Sequence, residues 1–267
     1  FDEPKYKKIF PYKHIFGFIN NFFSDTIIAV SPAVKINLAE TGTKARKITV
    51  VYNGVDPMIP LSVQERLVVR EKYGLRDTDF VCGIVARLEP VKGHEYVLKA
   101  AQMLLLEDKD IKFLIVGTGS VESELKEYVG KNGLTNCIFV GFVKNVREVM
   151  GILDIQLNAS YGTEATSISL LEGMSLGIPA VVSDFGGNPY VINGNVNGLL
   201  YEKKDYAEMC KAIKFLKESK KDENKKDYKH LSKRALEIFN EKFTSQSMTT
   251  GIENVYKGLV DVNTNSN

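Results

Sequence analysis

The feature that most constrains the fold of this chain is a regular alternation of short apolar runs with segments of helical periodicity. Several runs, such as FVCGIV at 80–85 and KFLIVG at 112–117, are apolar on both faces. Strands of this kind are typical of parallel sheets that helices cover on both sides. The pattern therefore predicts an α/β fold with a Rossmann-like, doubly wound parallel sheet.

The predicted elements divide the chain into three parts. Residues 58–244 hold six strands, enough for a complete domain, whereas 1–57 hold only two and are predicted to be the end of another domain with a hinge. Residues 245–267 are predicted to be a C-terminal helix and tail. Strands are predicted at 26–30, 47–52, 80–85, 111–116, 138–140, 155–158, 180–183 and 198–201. Helices are predicted from Ser31-Pro32 and at 63–73, 93–106, 120–131, 145–151, 167–176, 204–218, 227–240 and 245–260.

Composition excludes several classes of protein. The net charge of +2 on 267 residues gives no reason to expect a nucleic-acid partner. The three cysteines are far apart and lack metal-ligand spacing, which indicates buried thiols in a reducing cytoplasm. No apolar run reaches the ~20 residues that span a bilayer, and no signal peptide is visible. Because the chain starts at Phe1 rather than Met, we expect a fragment of a longer protein.

The first 23 residues combine basic side chains with many aromatic ones. One interpretation is a helix whose aromatic residues pack on a neighbouring element. The other is a segment that lies on an anionic membrane surface, which would place the protein at the inner face of a membrane. Pro11 and Gly17 interrupt the helical pattern and favour the first interpretation.

The residues that follow each strand are the candidate site, because ligands of open α/β sheets bind outside the carboxyl ends of the strands. After 80–85, Arg87 and Lys92 lie on a loop that leads into a helix. A guanidinium, an ammonium and free helix amides together suit a diphosphate. The alternative is a pair of solvated surface cations.

The segment after 155–158 is the most informative, since it contains Glu164 and Glu172. Glu164 is predicted to lie in the loop, with Thr166 or Ser167 capping the next helix. Glu172 lies more than a turn inside that helix among apolar residues, where a carboxylate is costly unless it is hydrogen-bonded. The vicinal hydroxyls of a ribose would satisfy it. The alternative is an ion pair with a lysine or arginine of a neighbouring element.

The remaining motifs are less specific. Gly117-Thr-Gly119 lacks the third glycine of the dinucleotide fingerprint, which favours a tight strand-to-helix turn over a dehydrogenase site. Gly186-Gly187 permits either close approach to a ligand or a tight turn. Two D-x-D triplets precede strands, at the opposite edge of the sheet, so we interpret them as turn residues and predict no metal site. His94 is assigned a packing or capping role.

Six motifs occur in a fixed order along residues 25–259. They are V-Y-N-G-V-D (51–56), G-x-x-A-R-L-x-x-x-K-G (83–93), V-G-T-G (116–119), F-V-G-F (139–142), the pair Glu164/Glu172, and G-x-P-A-V-V-S-D-x-G-G (177–187). Together they resemble the GT-B glycosyltransferases of family 4, which are retaining enzymes that use nucleotide-activated sugars.

The resemblance implies a role for each matching residue. Arg87 and Lys92 would hold the donor diphosphate and stabilise the negative charge that grows on it, so that no metal is needed. Glu164 would contact hydroxyls of the donor sugar, and these three residues are the predicted catalytic set. Glu172 would bind the ribose of the nucleotide, with UDP-sugars favoured over GDP-sugars. The donor-binding set is completed by Phe142 and Val143 at the base and by the amides of Ala165, Thr166 and Ser167.

Two departures from the family pattern bear on function. Glu164 is followed by alanine rather than glycine, and residues 1–57 match only the end of the acceptor domain that normally comes first. The expected function is sugar transfer with retention to a carbohydrate or glycolipid acceptor. This chain would supply the donor site, and a missing N-terminal domain or a partner chain would hold the acceptor. The alternative is a non-catalytic nucleotide-sugar-binding subunit; the paired glutamates and the two cations disfavour an epimerase of the same fold.

Overall fold

The computed structural model describes residues 11–222 and 227–264, in which strands and helices alternate along the chain. The strands are β1 (Ile27–Ala29), β2 (Ile48–Val50), β3 (Phe80–Val85), β4 (Ile111–Val116), β5 (Cys137–Gly141), β6 (Ile155–Asn158), β7 (Ala180–Ser183) and β8 (Gly198–Tyr201). The helices are α1 (Tyr12–Phe23), α2 (Pro32–Glu40), α3 (Val63–Lys72), α4 (His94–Glu107), α5 (Glu122–Lys131), α6 (Val146–Met150), α7 (Ile168–Ser175), α8 (Asn188–Val191), α9 (Tyr206–Lys221), α10 (Asp227–Lys242) and α11 (Ser245–Thr264).

Six of the strands form one parallel sheet in the order β5-β4-β3-β6-β7-β8. Cys82 on β3 lies opposite Phe113 of β4 on one side and Ile155 of β6 on the other. The strand order therefore reverses between β3 and β6, as it does in Rossmann folds. The predicted doubly wound α/β fold and its six strands are confirmed.

Helices cover both faces of this sheet. On one face, α4 and α9 bury Leu98, Leu104 and Ile213 against the strands, and on the other, α3 and α6 bury Val69 and Met150. The strands are apolar on both sides because each side meets a helix layer. The three cysteines are free thiols, and burial raises the pKa of each: well above its usual value for Cys82, to about 12 for Cys137 and to about 11 for Cys210.

The N-terminal helix differs from its prediction. α1 runs through Gly17 without a break. Glycine lets the helix pack closely on Gly42, since a Cβ at this position would lie 2.6 Å from the Gly42 carbonyl oxygen. Asn20 and Asn21 on the same side bond to Thr43 and to the Gly42 carbonyl. The predicted packing of the aromatic residues is wrong for Phe18, Phe22 and Phe23, which are 62%, 70% and 74% exposed, whereas Phe16 is half-buried.

The remaining differences concern element length. α8 is a four-residue helix that was not predicted, since four residues are too few to display a helical period. Helix α9 extends beyond the predicted residue 218, and helix α11 beyond residue 260. Of the helices within the described ranges, none combines the length and apolarity needed to cross a bilayer.

The strands β1 and β2 form a separate parallel pair that is tied to the C-terminal helix. Val55 donates its amide to the carbonyl of Phe243 (3.0 Å) and accepts from the amide of Ser245 (3.0 Å). The ring of Tyr52 meets that of Phe243 edge-on at 5.4 Å. The segment before residue 58 and the segment after 244 are thus packed together. The boundaries at 57/58 and 244/245 stay predictions.

Gly93 allows the loops after β3 and β6 to approach closely, and its replacement tests this contact. Gly93 has φ +70°, and a Cβ there would lie 2.1 Å from the carbonyl oxygen of Ala159. We expect Gly93→Ala to lower the free energy of unfolding by about 3 kcal/mol, through backbone strain plus the clash. Gly74→Ala is the matched control, because Gly74 has φ +66° with nothing within 4 Å. It should cost only about 1 kcal/mol of backbone strain. Urea denaturation measures both, and equal losses would contradict the contact.

Candidate functional site

The candidate site lies where the strand order of the sheet reverses. The loop after β3, residues 86–93, and the loop after β6, residues 159–167, leave the carboxyl ends of neighbouring strands. The Tyr161 amide donates to the Val91 carbonyl (2.9 Å), so the two loops are joined by their backbones. Crevices of this kind are the usual ligand sites of open α/β sheets.

A direct contact between Lys92 and Glu164 connects the two loops. Lys92 Nζ lies 2.9 Å from Glu164 Oε2 and 3.3 Å from the carbonyl oxygen of Thr163. The side chains are 16% and 6% exposed, so this pair is largely withdrawn from water. Since an ammonium has three N–H donors, two are used here and one is left for a ligand.

Two side chains that the sequence analysis did not single out also hold Glu164. Ser160 Oγ donates to Oε2 at 2.7 Å and Asn158 Nδ2 at 3.3 Å. Both residues lie at the carboxyl end of β6, and this position of two polar residues at a strand end is the sequence signal that could have identified them. The carboxylate is thereby fixed from both loops.

Arg87 is exposed on the same loop as Lys92. Within residues 11–222 and 227–264 its guanidinium makes no hydrogen bond or ion pair, so its donors are free for an anion. The turn after β4 braces this loop: the Leu88 amide donates to the Thr118 carbonyl (2.9 Å), and a Cβ on Gly117 would lie 2.0 Å from the carbonyl oxygen of Ala86. The tight turn predicted for Gly117-Thr-Gly119 agrees with this geometry.

Glu172 lies on α7 in a partly buried position, and burial raises the pKa of its carboxyl group. No ion pair with this carboxylate occurs in the part of the chain that the structure describes, so the alternative of a lysine or arginine partner is not supported. The predicted side-chain cap of α7 is wrong, because Ser167 is the N-cap residue but makes no capping hydrogen bond. Its hydroxyl instead meets that of Ser169 at 3.1 Å. The first amides of α7 are therefore left to other acceptors.

The N-terminal unit, the described residues 11–57 with α1, β1, α2 and β2, reaches the same site. Thr166 Oγ1 donates to the carbonyl of Val30, which follows β1, at 3.1 Å. Ala165 is partly exposed beside it, whereas Thr166 and Ser167 are buried. The segment before residue 58 thus contacts the loop that carries Glu164.

The other predicted residues lie farther apart. Phe142 and Val143 follow β5 at the edge of the sheet; Phe142 is 78% exposed, and Val143 packs on the core next to the sheet. Gly187 approaches the Glu164 loop rather than open solvent, and its amide donates to the Glu164 carbonyl at 2.8 Å. The D-x-D triplets precede β3 and β4 at the opposite edge, where Arg76 bonds to Asp79 and Asp110.

His94, the first residue of α4, is 2% exposed. Neither ring nitrogen has a hydrogen-bond partner among the described residues, so the packing role predicted for it is supported and the capping role is not. The ring borders a cavity of about 120 Å³ lined by Glu89, Pro90, Glu95, Val121, Glu124 and Leu125. Burial, followed by repulsion from Lys92, lowers its pKa from 6.5 to about 4. The ring is therefore neutral near neutral pH.

Two family models match the sequence. The model described as "Glycosyl transferases group 1" matches residues 65–237, and that described as "Glycosyltransferase Family 4" matches residues 5–58. An uncharacterized glycosyltransferase of Methanocaldococcus jannaschii is 30% identical over 193 residues, which are 70% of this chain and 49% of the relative. The chain spans about half the length of the curated relatives it matches.

Solved glycosyltransferase structures have the same fold. The Anabaena protein Alr3699/HepE, in complex with UDP, superposes with a TM-score of 0.83 at 22% identity, over 94% of this chain and 67% of that chain. A glycosyltransferase from Rickettsia africae superposes with a TM-score of 0.84 at 21% identity, over 97% and 68% of the two chains. These similarities extend to the N-terminal unit as well as to the six-stranded sheet.

The burial of His94 predicts how the free energy of unfolding depends on pH. Because the pKa of His94 is about 4 when folded and 6.5 as the ordinary value, the unfolded chain binds a proton in this window that the folded chain does not. The contribution of the neutral ring to the free energy of unfolding is therefore complete above pH 6.5 and is lost as the pH falls toward about 4. We expect the free energy of unfolding to drop by about 2 kcal/mol more in wild type than in His94→Gln between about pH 7 and pH 5.

Urea denaturation at a series of pH values measures this difference. His230→Gln is the matched control, because His230 is an exposed histidine on α10. It should keep the pH dependence of wild type. Parallel pH profiles for wild type and His94→Gln would contradict the assignment of a neutral buried ring.

Proposed function

Because the chain belongs to the glycosyl transferases group 1 family, we propose that it binds a nucleotide sugar and supplies the donor site of a retaining hexosyltransferase. The observation that carries the proposal is the contact between Lys92 and Glu164 where the strand order reverses, with Arg87 on the same loop as Lys92. Cations for a diphosphate and a carboxylate for sugar hydroxyls are thereby adjacent. Retention of the anomeric configuration is proposed from the resemblance to family 4.

Arg87 and Lys92 are proposed to assist departure of the nucleoside diphosphate. As the bond between the anomeric carbon and the diphosphate oxygen breaks, negative charge grows on the diphosphate. The free guanidinium of Arg87 and the remaining N–H of Lys92 stabilise this charge without rearrangement, which is the usual source of the largest catalytic effect. Since these two cations neutralise the leaving group, the proposed reaction does not need a metal ion.

Glu172 and the start of α7 are proposed to bind the rest of the donor. The partly buried carboxylate of Glu172 gains two hydrogen bonds if the ribose hydroxyls donate to it, and these offset its burial. The uncapped amides near the start of α7 suit the phosphates or the sugar. The proposed contacts of the sugar and phosphates are the amides of Ala165, Thr166 and Ser167, and those of the base are Phe142 and Val143. A UDP-sugar is favoured as donor, in keeping with the UDP bound by the Anabaena protein.

The acceptor is proposed to be a carbohydrate or glycolipid held by a domain that covers the N-terminal unit. β1 pairs only with β2 among the described strands, and a two-stranded sheet is not stable by itself. The aromatic side of α1 is exposed next to it. Because Val30 contacts Thr166, a domain that completes this unit stands beside the donor site. Such a domain is either an N-terminal part of the same protein or a partner chain.

The same exposed unit favours a second candidate function, a non-catalytic nucleotide-sugar-binding subunit that docks on a partner. Addition of that partner restores sugar transfer under the first proposal and leaves only nucleotide-sugar binding under the second. The three free thiols support a reducing compartment such as the cytoplasm. Instead of being covered by another domain or chain, the aromatic side of α1 could lie on the inner face of a membrane.

Calorimetric titration with UDP, GDP and ADP tests the donor site. We expect micromolar binding of one nucleotide, weakened at least tenfold, or about 1.4 kcal/mol, by Arg87→Ala and by Glu172→Ala. Each substitution removes a proposed contact with the diphosphate or the ribose. Arg46→Ala and Glu127→Ala change exposed charges on other elements and should bind as wild type does. Failure of all three nucleotides to bind would contradict the proposed function.

The exposed face of α1 predicts self-association of this chain. Phe18 and Phe22 stack at 5.5 Å and are both exposed, and apolar surface of this kind promotes association. We expect concentration-dependent association by analytical ultracentrifugation, which the double substitution Phe18→Ser/Phe22→Ser abolishes. Leu106→Ser, which alters an isolated residue that is 88% exposed on α4, should associate like wild type. A wild-type chain that stays monomeric would contradict the proposal that another domain or chain covers this exposed face of α1.

A further inference from the structure

The three donors that hold Glu164 converge on one of its two carboxylate oxygens. Lys92 Nζ, Ser160 Oγ and Asn158 Nδ2 all bond to Oε2. The other oxygen, Oε1, accepts no hydrogen bond from the residues that the structure describes, and it is not among the buried polar atoms that lack a partner. The carboxylate therefore has one oxygen bound to the protein and one accessible to a ligand.

Asn158 and Ser160 are themselves oriented by the chain around them. The Ser160 amide donates to Asn158 Oδ1 at 3.0 Å, which leaves Asn158 Nδ2 facing Glu164. The Tyr201 hydroxyl on β8 donates to the carbonyl of Asn158 at 3.3 Å. The geometry of both donors is thus set before any ligand is bound.

A second pair of side chains supports these two from the next strand. Ser183 Oγ at the end of β7 donates to the Ser160 carbonyl at 2.6 Å. Asn188 Nδ2 on α8 donates to Asn158 Oδ1 at 3.3 Å and to the Ser183 carbonyl at 3.1 Å. Ser183 and Asn188 are completely buried. A continuous polar network therefore runs from β7 and α8 through β6 to Glu164.

Fold stability does not explain this network. Leaving a buried polar group without a hydrogen bond costs about 1–3 kcal/mol, and Asn188 Oδ1 is buried without a partner in the described part of the chain. The neighbouring residues of β7, Val181 and Val182, fill the core with apolar side chains instead. Apolar residues of similar volume are often as stable as buried polar groups. The network is accounted for by the residue that it holds, Glu164.

We infer that Ser160 and Asn158 are positioning residues that hold Glu164 Oε2 so that Oε1 accepts a hydrogen bond from a hydroxyl of the donor sugar. This inference rests on the proposed function and adds to it a division of roles. The two residues do not touch the sugar; they act through Glu164. Because they share Oε2 with Lys92, the ammonium is not the only partner of the carboxylate and retains a donor for the diphosphate. Their loss should weaken recognition of the sugar and spare recognition of the nucleotide.

The experiment compares UDP with UDP-glucose, or GDP with GDP-mannose if guanine is the base that binds. For the whole chain, calorimetry gives the Kd of each ligand in wild type and in Ser160→Ala. We expect wild type to bind the sugar nucleotide more tightly than the nucleotide. Ser160→Ala should weaken sugar-nucleotide binding about fivefold or more, by loss of a hydrogen bond to a charged group, while the nucleotide Kd changes by less than about twofold. Glu164→Ala should show the same selective loss.

Two further variants separate positioning from folding. Ser160→Thr keeps the hydroxyl and should restore sugar-nucleotide binding to within about twofold of wild type. Ser219→Ala removes another buried serine hydroxyl, which accepts from the Tyr228 amide on α10, and should leave both ligands unaffected.

Four results overturn the inference. Ser160→Ala binds the sugar nucleotide as wild type does, or it weakens both ligands equally, as a purely structural residue would. Wild type binds both ligands equally, so that Glu164 makes no sugar contact to position. Ser160→Thr fails to restore binding. Binding of no nucleotide by wild type is a different result, since it overturns the proposed function itself.

Discussion

The pairing of β3 with β6 is the constraint on which the rest of the structure depends. These strands are neighbours in the sheet although β4 and β5 lie between them along the chain. Their carboxyl ends therefore release two loops side by side, one with Arg87 and Lys92 and one with Glu164. Glycine at position 93 lets the loops approach closely, and the backbone bond from Tyr161 to Val91 holds them there. The charged pair between Lys92 and Glu164 can form only because of this topology.

The charged side chains at this crevice fall into two groups, one paired and hydrogen-bonded and the other without a partner among the described residues. Lys92 and Glu164 are nearly withdrawn from water, where an ion pair is favourable only if further hydrogen bonds satisfy its atoms. Ser160, Asn158 and the Thr163 carbonyl supply those bonds. Arg87 and Glu172, by contrast, have no partner in the described ranges. The hydrogen-bonded pair gives the site a fixed geometry, and the two charges without partners are available to a ligand. Such an arrangement suits a ligand that carries both an anion and hydroxyl groups.

The N-terminal unit has the opposite character, because its polar side is packed and its apolar side is exposed. α1 packs on the chain near Gly42 through Gly17, Asn20 and Asn21. Three of its phenylalanines, Phe18, Phe22 and Phe23, are left exposed. A helix normally buries its apolar stripe. The hydrogen bond between Thr166 and the Val30 carbonyl joins this unit to the loop that carries Glu164.

The sequence by itself determined the class of the fold, the strands and the loops that form the candidate site. Apolar runs at 80–85, 113–116 and 180–182 specify buried parallel strands, because strands that helices cover on both faces are apolar on both faces. Arg87, Lys92 and Glu164 were predicted as site residues because ligands of such a sheet bind outside the carboxyl ends of the strands.

Contacts between residues distant in the chain were decided by the tertiary structure alone. These include the bond of Asn188 to Asn158 and the packing of Gly17 on Gly42. The tertiary structure also decides that Glu172 has no ion pair among the described residues and that Ser167 makes no capping hydrogen bond. Local periodicity specifies which face of an element is apolar, but not which side chain of another strand will meet it. That depends on strand order and register, which only the packed sheet sets.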